Sequence, residues 1–155
     1  MSAPVLLRAA DHRRMPWKNG GGETLEIAVS PPGASIADFD WRVSLAGVAV
    51  DGPFSAFPDI DRTLVLLEGD DLTLAIAGRP AVRLRVGDAP LAFPADVAAS
   101  ATLAGGAIAD LNVMTRRGRY QHLVERIDAP QDMTVAAGAT LLLFGDGLAI
   151  ETGDG

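Results

Sequence analysis

The stretch Met15-Pro-Trp-Lys-Asn-Gly-Gly-Gly22 runs directly into an alternating segment, Glu23-Thr-Leu-Glu-Ile-Ala-Val29. Three consecutive glycines are entropically costly in an ordered chain, so a tight turn or a close backbone approach is needed to justify them. Two interpretations stay open on these residues alone. One is a ligand loop that presents bare N–H groups beside an aromatic ring, a cation and an amide; the other is a plain hinge. The alternation that follows predicts a β-strand with one apolar face.

The rest of the chain repeats this pattern of short alternating segments separated by turns. Glycine and proline number 17 and 10, and they recur at a spacing of roughly 8–12 residues, which is typical of strands joined by turns. No long segment has the 3.6-residue period of a helix. The pattern therefore predicts an all-β barrel or sandwich. The expected strands are 5–9, 24–29, 39–48, 63–67, 72–76, 81–86, 91–94, 97–103, 107–115, 120–127, 133–136, 140–144 and 148–151.

Composition restricts the kind of protein that 155 residues can form. With 48% hydrophobic and 21% charged residues, a packed core in one domain is expected. The formal charge of −7 argues against nucleic acid and anionic membranes as partners. The absence of cysteine excludes disulfides and thiolate chemistry. No segment resembles a signal peptide or a membrane span, so we expect a cytoplasmic protein.

Polar side chains alternate with apolar ones on three of the predicted strands. The polar pairs are Thr24 with Glu26, Arg42 with Ser44, and Asp110 with Asn112. Such a polar row is usually the solvent side of an antiparallel sheet. In a barrel it can instead line an interior cavity. The residues alone leave both interpretations open.

Arg42 is the strongest candidate for an anion site. A guanidinium can hold a carboxylate through charge-assisted hydrogen bonds, each worth about 1.5–3 kcal/mol. The alternative is a surface arginine that covers Trp41. Lys18 is either a second anion-binding cation or a solvated loop residue. Arg62, directly after Asp61, is expected to form a surface ion pair.

Familiar catalytic and metal motifs are missing from the sequence. The triple glycine precedes a strand and does not open a helix, which excludes the dinucleotide fingerprint and the P-loop. The chain has only two histidines, His12 and His122, without the spacing of metal ligands, so no metal or cofactor is expected. Tyr120 and His122 share a face of a predicted strand and could form an acid–base pair, although half-buried packing is more usual.

Five sequence blocks, in this order, closely resemble the HutD/Ves family. They are Met15-Pro-Trp-Lys-Asn-Gly-Gly-Gly22 with Thr24, Glu26 and Ile27, Trp41-Arg-Val-Ser-Leu-Ala46, Gly52-Pro-Phe-Ser-Ala-Phe-Pro58, Asp61-Arg62, and Asp110-Leu-Asn-Val-Met114. Leu111 stands where the family pattern leads us to expect phenylalanine. The resemblance implies a cupin-type β-barrel in a two-cupin (bicupin) arrangement. It would form a single compact domain over residues 1–155 with a frayed tail at 152–155.

The resemblance also implies a role in histidine utilisation and a small acid ligand, of which N-formylglutamate is one example. In a cupin the three polar rows would point into the barrel. The histidine pair and later glutamate and histidine that hold metal in many cupins are absent here. We therefore expect a metal-independent binding protein for a small anionic metabolite, with no cofactor, and a homodimer stays open. The expected ligand-binding residues are Trp17, Lys18, Asn19, Thr24, Glu26, Arg42, Ser44, Asn112 and Met114.

Two alternatives to a binding protein stay open. The first is a metal-independent cupin enzyme, an isomerase or lyase that would use Glu26 or His122 as general base. The second is a non-catalytic interaction protein whose pocket is vestigial.

Overall fold

The computed structural model describes residues 3–151, and its regular secondary structure is almost entirely β-strand. One 3-10 helix, Ala9–Asp11, precedes ten strands. The strands are β1 Arg13–Pro16, β2 Gly22–Ser30, β3 Trp41–Val48, β4 Gly52–Pro53, β5 Ile60–Glu68, β6 Leu72–Ile76, β7 Val82–Leu84, β8 Leu91–Pro94, β9 Ala99–Leu103 and β10 Ile108–Arg116. The prediction of an all-β protein is confirmed.

The strands form two antiparallel sheets. The larger has six strands in the order β1-β2-β3-β10-β5-β8, and the smaller has four in the order β4-β9-β6-β7. Strand β10 lies between β3 and β5, although it follows them by many residues in the chain. Because of this crossover, Met114 pairs with Arg42 on one side and with Arg62 on the other. Directly paired residues point to the same face of a sheet, so these three side chains share one face.

The main core lies between the two sheets, because its buried residues come from both. Leu64 and Leu66 contribute from β5, and Leu72 and Leu74 contribute from β6. All four are fully or almost fully buried. Burying each such side chain stabilises the fold by about 1.5–3 kcal/mol. The face of the larger sheet that carries Leu64 is therefore its inner face.

Strand predictions for the middle of the chain are confirmed within a few residues, whereas those at both ends are wrong. Residues 5–8 form no strand, and the first strand instead contains Met15 and Pro16 from the glycine motif. Residues 117–151 contain no helix or strand, so the four strands expected after residue 119 are not formed. An alternating segment forms a strand only when a neighbouring strand completes its backbone hydrogen bonds. Leu123, in the segment after residue 119, is 80% exposed.

The expectation of a closed cupin-type barrel is not confirmed by the sheet topology. Both sheets are open, since each ends in edge strands, and no closed sheet forms within residues 3–151. The described residues form one two-sheet unit, and the bicupin arrangement and the single domain over residues 1–155 stay predictions. The expected frayed tail, 152–155, lies outside the described residues.

Candidate functional site

Polar residues from four adjacent strands meet on the inner face of the larger sheet. Ser44 of β3 is paired with Glu26 of β2 on one side and with Asn112 of β10 on the other. Arg42 and Asp110 lie two residues along their strands, and therefore point to the same side. Arg42, Ser44, Asp110 and Asn112 are all buried. The polar rows therefore lie inside the protein and are not its solvent face.

Arg42 is held by an ion pair within this interior. Its Nε donates to Glu26 Oε2 at 2.9 Å, and the two side chains are only 4% and 11% exposed. Its Nη2 approaches Met15 Sδ at 3.5 Å. Removing one partner of a buried ion pair leaves an uncompensated charge, which costs about 3–5 kcal/mol. Glu26 therefore positions the guanidinium that the sequence suggested as an anion clamp.

Arg62 is a second buried guanidinium on the same face, and the expectation of a surface ion pair with Asp61 is wrong. Its Nε and Nη2 donate to Asn112 Oδ1 at 2.8 and 2.5 Å. The guanidinium carbon lies 4.7 Å from the centroid of the Phe54 ring, a cation–π contact. Asp61 is paired with Arg117 instead, at 2.9 Å.

The alternation of residues along β5 indicates that Arg62 faces inward. Arg62, Leu64 and Leu66 alternate with outward residues, so an arginine in that row shares the face of two core leucines. Burial lowers the pKa of Arg62 to about 10; the charge of Asp110 opposes this shift and the charge of Arg42 adds to it. The guanidinium stays protonated at neutral pH.

Asn112 connects Arg62 to a buried carboxylate. Its Nδ2 donates to Asp110 Oδ1, while its Oδ1 accepts from Arg62. Asp110 is fully buried, and its Oδ2 has no hydrogen-bond partner among residues 3–151. Burial raises the pKa of Asp110 to about 6, although the charge of Arg62 and the bond from Asn112 both lower it. Sequence alternation identifies this polar position, but Asp110 is not among the expected ligand-binding residues.

The triple-glycine stretch forms the turn of the β1–β2 hairpin, so it is not a plain hinge, and its role as a ligand loop stays a prediction. The Trp17 N–H donates to the Gly22 carbonyl at 2.9 Å and closes the turn. Gly20 has a φ of +72°, which favours glycine. A Cβ on Gly22 would collide with the carbonyl oxygen of Gly47 and would lie 3.1 Å from the Trp17 ring. Close packing against β3 therefore requires glycine here.

The hairpin turn brings some of the expected site residues to one end of the interior. Trp17 packs against the main core, and its Nε1 donates to Thr24 Oγ1 at 2.9 Å. Asn19 Oδ1 accepts from the Gly21 N–H at 2.9 Å and so stabilises the turn. Lys18 is exposed. Trp17 and Phe54 line a cleft of about 10 Å³, room for about one water molecule.

Met114 lies between the two guanidiniums in the strand register and forms an apolar wall beside them. It is buried in a second cluster with Phe39, Ile60 and Ala95. Ser44, the last of the expected ligand-binding residues, is 1% exposed and lies between Glu26 and Asn112 across the strands.

His122 lies on the opposite face of the larger sheet. Its Nε2 is 2.8 Å from Thr63 Oγ1 and its Nδ1 is 2.7 Å from Thr115 Oγ1. Both threonines alternate with inward-facing neighbours, so they point outward. Burial lowers the pKa of His122. The imidazole therefore attaches the segment after β10 to the sheet, away from Arg42 and Glu26, and Tyr120 is exposed.

Residues 3–151 hold neither a potential metal-binding cluster nor a membrane-spanning helix. Within that range, no three or more histidine, aspartate or glutamate side chains come together as potential metal ligands. None of the described helical residues form an element with the length and apolar character needed to cross a bilayer.

The family model for HutD matches residues 9–153. This chain belongs to the HutD family. The HutD-family chain is 40% identical over 144 residues to an uncharacterised 21.2 kDa protein in the hutC 3′ region of Pseudomonas putida, covering 93% of this chain and 74% of that protein. It is 41% identical over 122 residues to protein Ves of Citrobacter koseri, covering 76% of this chain and 62% of Ves.

Solved structures support the same family and the cupin-like fold. HutD from Pseudomonas fluorescens SBW25, in a formate condition, matches with a TM-score of 0.64 and 37% identity, covering 70% of this chain and 58% of that chain. A conserved protein of unknown function from Pseudomonas aeruginosa PAO1 matches with a TM-score of 0.67 and 41% identity, covering 71% and 56%. The HutD-family chain thus spans little more than half of either structure.

A more distant structure indicates the fold alone. It is a sugar phosphate isomerase from a cupin superfamily, from Silicibacter pomeroyi, with a TM-score of 0.53 and 20% identity. The match covers 72% of the HutD-family chain and 76% of that protein. The two open sheets described above are therefore cupin-like.

Proposed function

We propose that this HutD-family chain is a metal-independent cytoplasmic binding protein for a small carboxylate metabolite of histidine catabolism, whose flux it modulates. N-formylglutamate is one such acid. The observation that carries the proposal is the pair of buried guanidiniums, Arg42 and Arg62, on one inner face. These two guanidiniums place charge-assisted donors for a carboxylate inside a chain of formal charge −7.

A ligand carboxylate would take up the hydrogen bonds that protein acceptors now hold. Arg62 donates to a neutral amide oxygen, Asn112 Oδ1, which is a weaker acceptor than a carboxylate. Arg42 is kept in position by Glu26. The ligand would therefore bind to Arg62 in place of Asn112 and accept hydrogen bonds from the terminal nitrogens of Arg42, with Ser44 offering a hydroxyl and Met114 an apolar wall.

Entry to this interior requires movement at the hairpin turn. The cleft between Trp17 and Phe54 has a volume of about 10 Å³, which is too small for a metabolite. Phe54 also lies against the Arg62 guanidinium. Rotation of Trp17 or Phe54 would open a path from the turn to the cation, with Lys18 and Asn19 at the outer end.

The names of the relatives support the association with histidine utilisation. One relative lies in a hutC region and one solved structure is HutD itself. Because both solved relatives are much longer than the matched part, a two-cupin arrangement stays part of the proposal. We propose neither nucleic acid nor membrane as a partner, given the acidic charge.

A thermal-shift panel of histidine-pathway acids and unrelated carboxylates tests the proposal. A ligand at 100 times its dissociation constant stabilises the native state by about 2.7 kcal/mol. Arg42→Lys keeps the charge but loses the planar fork of donors, so we expect affinity to fall about tenfold or more. The matched control is Arg83→Lys, an exposed arginine of β7 that is paired with Asp71.

Three outcomes separate the hypotheses. A shift that Arg42→Lys weakens and Arg83→Lys preserves supports the binding site. A shift of equal size in both variants contradicts the role of Arg42. No shift with any acid contradicts the binding proposal, and a protein captured by the full chain would then favour an interaction protein.

A further inference from the structure

Asp110 has a carboxylate oxygen that the fold leaves without a partner. The residue is fully buried in β10, and Oδ1 accepts from Asn112 Nδ2. No donor within residues 3–151 reaches Oδ2. A buried polar atom without a hydrogen bond costs about 1–3 kcal/mol, and more when it is charged. Such an atom needs a physical explanation, and a bound proton is one.

The charged groups that face Asp110 are few and nearly balanced. The charge of Arg62 acts on it from β5, and Arg42 of β3 and Glu26 of β2 lie on the same inner face as an ion pair. The elements of the smaller sheet contribute apolar core side chains. These are Leu72, Leu74, Leu84 and Ala101. With Asp110 ionised, the interior holds two cations and two carboxylates.

An incoming carboxylate would upset this balance. It would add a negative charge to an interior that is already neutral, and an uncompensated buried charge is strongly unfavourable. Glu26 is bonded directly to Arg42 at 2.9 Å. Asp110 is linked to Arg62 by hydrogen bonds through the amide of Asn112, and its Oδ2 has no hydrogen-bond partner within residues 3–151. It is therefore the group best placed to become neutral.

We propose that the interior takes up a carboxylate anion together with one proton, and that Oδ2 of Asp110 holds this proton. This inference rests on the proposed binding function and specifies how it depends on pH. In the complex the ligand stays ionised against Arg62, while the O–H bond formed on Asp110 replaces one negative charge of the protein. The interior is then neutral in both the free and the bound states.

The consequence is a defined pH dependence of affinity. In the free protein the pKa of Asp110 is about 6, so at pH 7 it carries about 0.1 proton and would take up about 0.9 on binding. Between pH 6.5 and the higher pKa of the complex, the dissociation constant should rise about tenfold for each pH unit.

Isothermal titration calorimetry with N-formyl-L-glutamate tests the inference. Titrations at pH 7 in two buffers with different enthalpies of ionisation give the number of protons taken up. We expect about 0.9 proton for the wild type and almost none for Asp110→Asn, whose affinity should not change between pH 6.5 and 8. The matched control is Asp132→Asn, at an exposed position, which should behave as the wild type.

The outcomes distinguish this inference from the function on which it rests. Binding of N-formyl-L-glutamate to the wild type without proton uptake overturns the inference and leaves the binding function intact. Equal uptake by the wild type and Asp110→Asn also overturns it, because another group would then hold the proton. If N-formyl-L-glutamate does not bind at any pH from 5.5 to 8, the inference fails, while the thermal-shift panel decides the broader function.

Discussion

Replacing Asp110 by asparagine should remove a specific part of the pH dependence of stability, even without ligand. The variant keeps the shape of the side chain and the oxygen that accepts from Asn112, but it cannot ionise. Burial raises the folded-state pKa of Asp110 to about 6, against an ordinary value of 3.8. Because the folded pKa is raised, the native state binds the proton more tightly than the unfolded state.

The raised pKa of Asp110 determines the direction and the size of this pH dependence of stability. Below pH 3.8 the carboxyl is protonated in both states and its contribution to stability is fully present. As pH rises through 6 the contribution is lost, because burial then opposes a charged group. The difference between pKa values of 3.8 and about 6 corresponds to about 3 kcal/mol when it acts in full. At pH 4 part of this contribution is already lost, so the free energy of unfolding of the wild type, relative to Asp110→Asn, should fall by about 2.4 kcal/mol between pH 4 and 7.

Urea denaturation at half-unit intervals of pH measures this difference directly, provided that the slope with denaturant is the same for both proteins. The histidines and the other carboxylates are common to both, so their contributions cancel in the difference. Asp132→Asn, at an exposed position, should follow the wild type. Parallel curves for the wild type and Asp110→Asn from pH 4 to 7 would refute the reasoning.

Two further substitutions test the hairpin turn and the segment after β10. Gly22→Ala should destabilise the protein by about 1–3 kcal/mol in urea denaturation, because the new Cβ would collide with a carbonyl of β3. Gly52→Ala, with nothing within 4 Å, should change stability little, and equal effects would contradict the packing. His122→Leu removes the bonds to two threonine hydroxyls, so trypsin should cleave after Arg126 about tenfold faster. Leu123→Ala, at an exposed position, should not change this rate, and unchanged cleavage in His122→Leu would show that the imidazole does not hold the segment.

Period-2 alternation predicted the strands wherever a neighbouring strand exists to complete the ladder. It predicted β2, β3, β6 and β10 to within a few residues. The same alternation after residue 119 gave strands that do not form, because no partner strand lies beside that segment among the described residues. Alternation is thus a necessary property of a half-buried strand, but pairing decides whether the strand exists.

The candidate site was predictable in part. Arg42, Glu26, Ser44 and Asn112 were identified from their polar rows, and all lie on the inner face. Arg62 was missed because its neighbour in sequence, Asp61, offered an apparent ion-pair partner. In the structure that carboxylate points to the other face and binds Arg117. Adjacent residues in a strand point to opposite faces of the sheet, so an ion pair between Asp61 and Arg62 is less favourable than their adjacency in sequence suggests.

The sequence by itself determined the strand content, the acidic charge and the polar rows, because composition and local periodicity depend only on near neighbours in the chain. Only the tertiary structure decided that Arg42, Arg62 and Asp110 share one interior. That juxtaposition arises because β10 inserts between β3 and β5, which is a pairing between distant parts of the chain. It also decided that Asp110 reaches Arg62 through Asn112 and keeps one oxygen free. Burial then raises the pKa of that carboxyl, and no local pattern encodes burial.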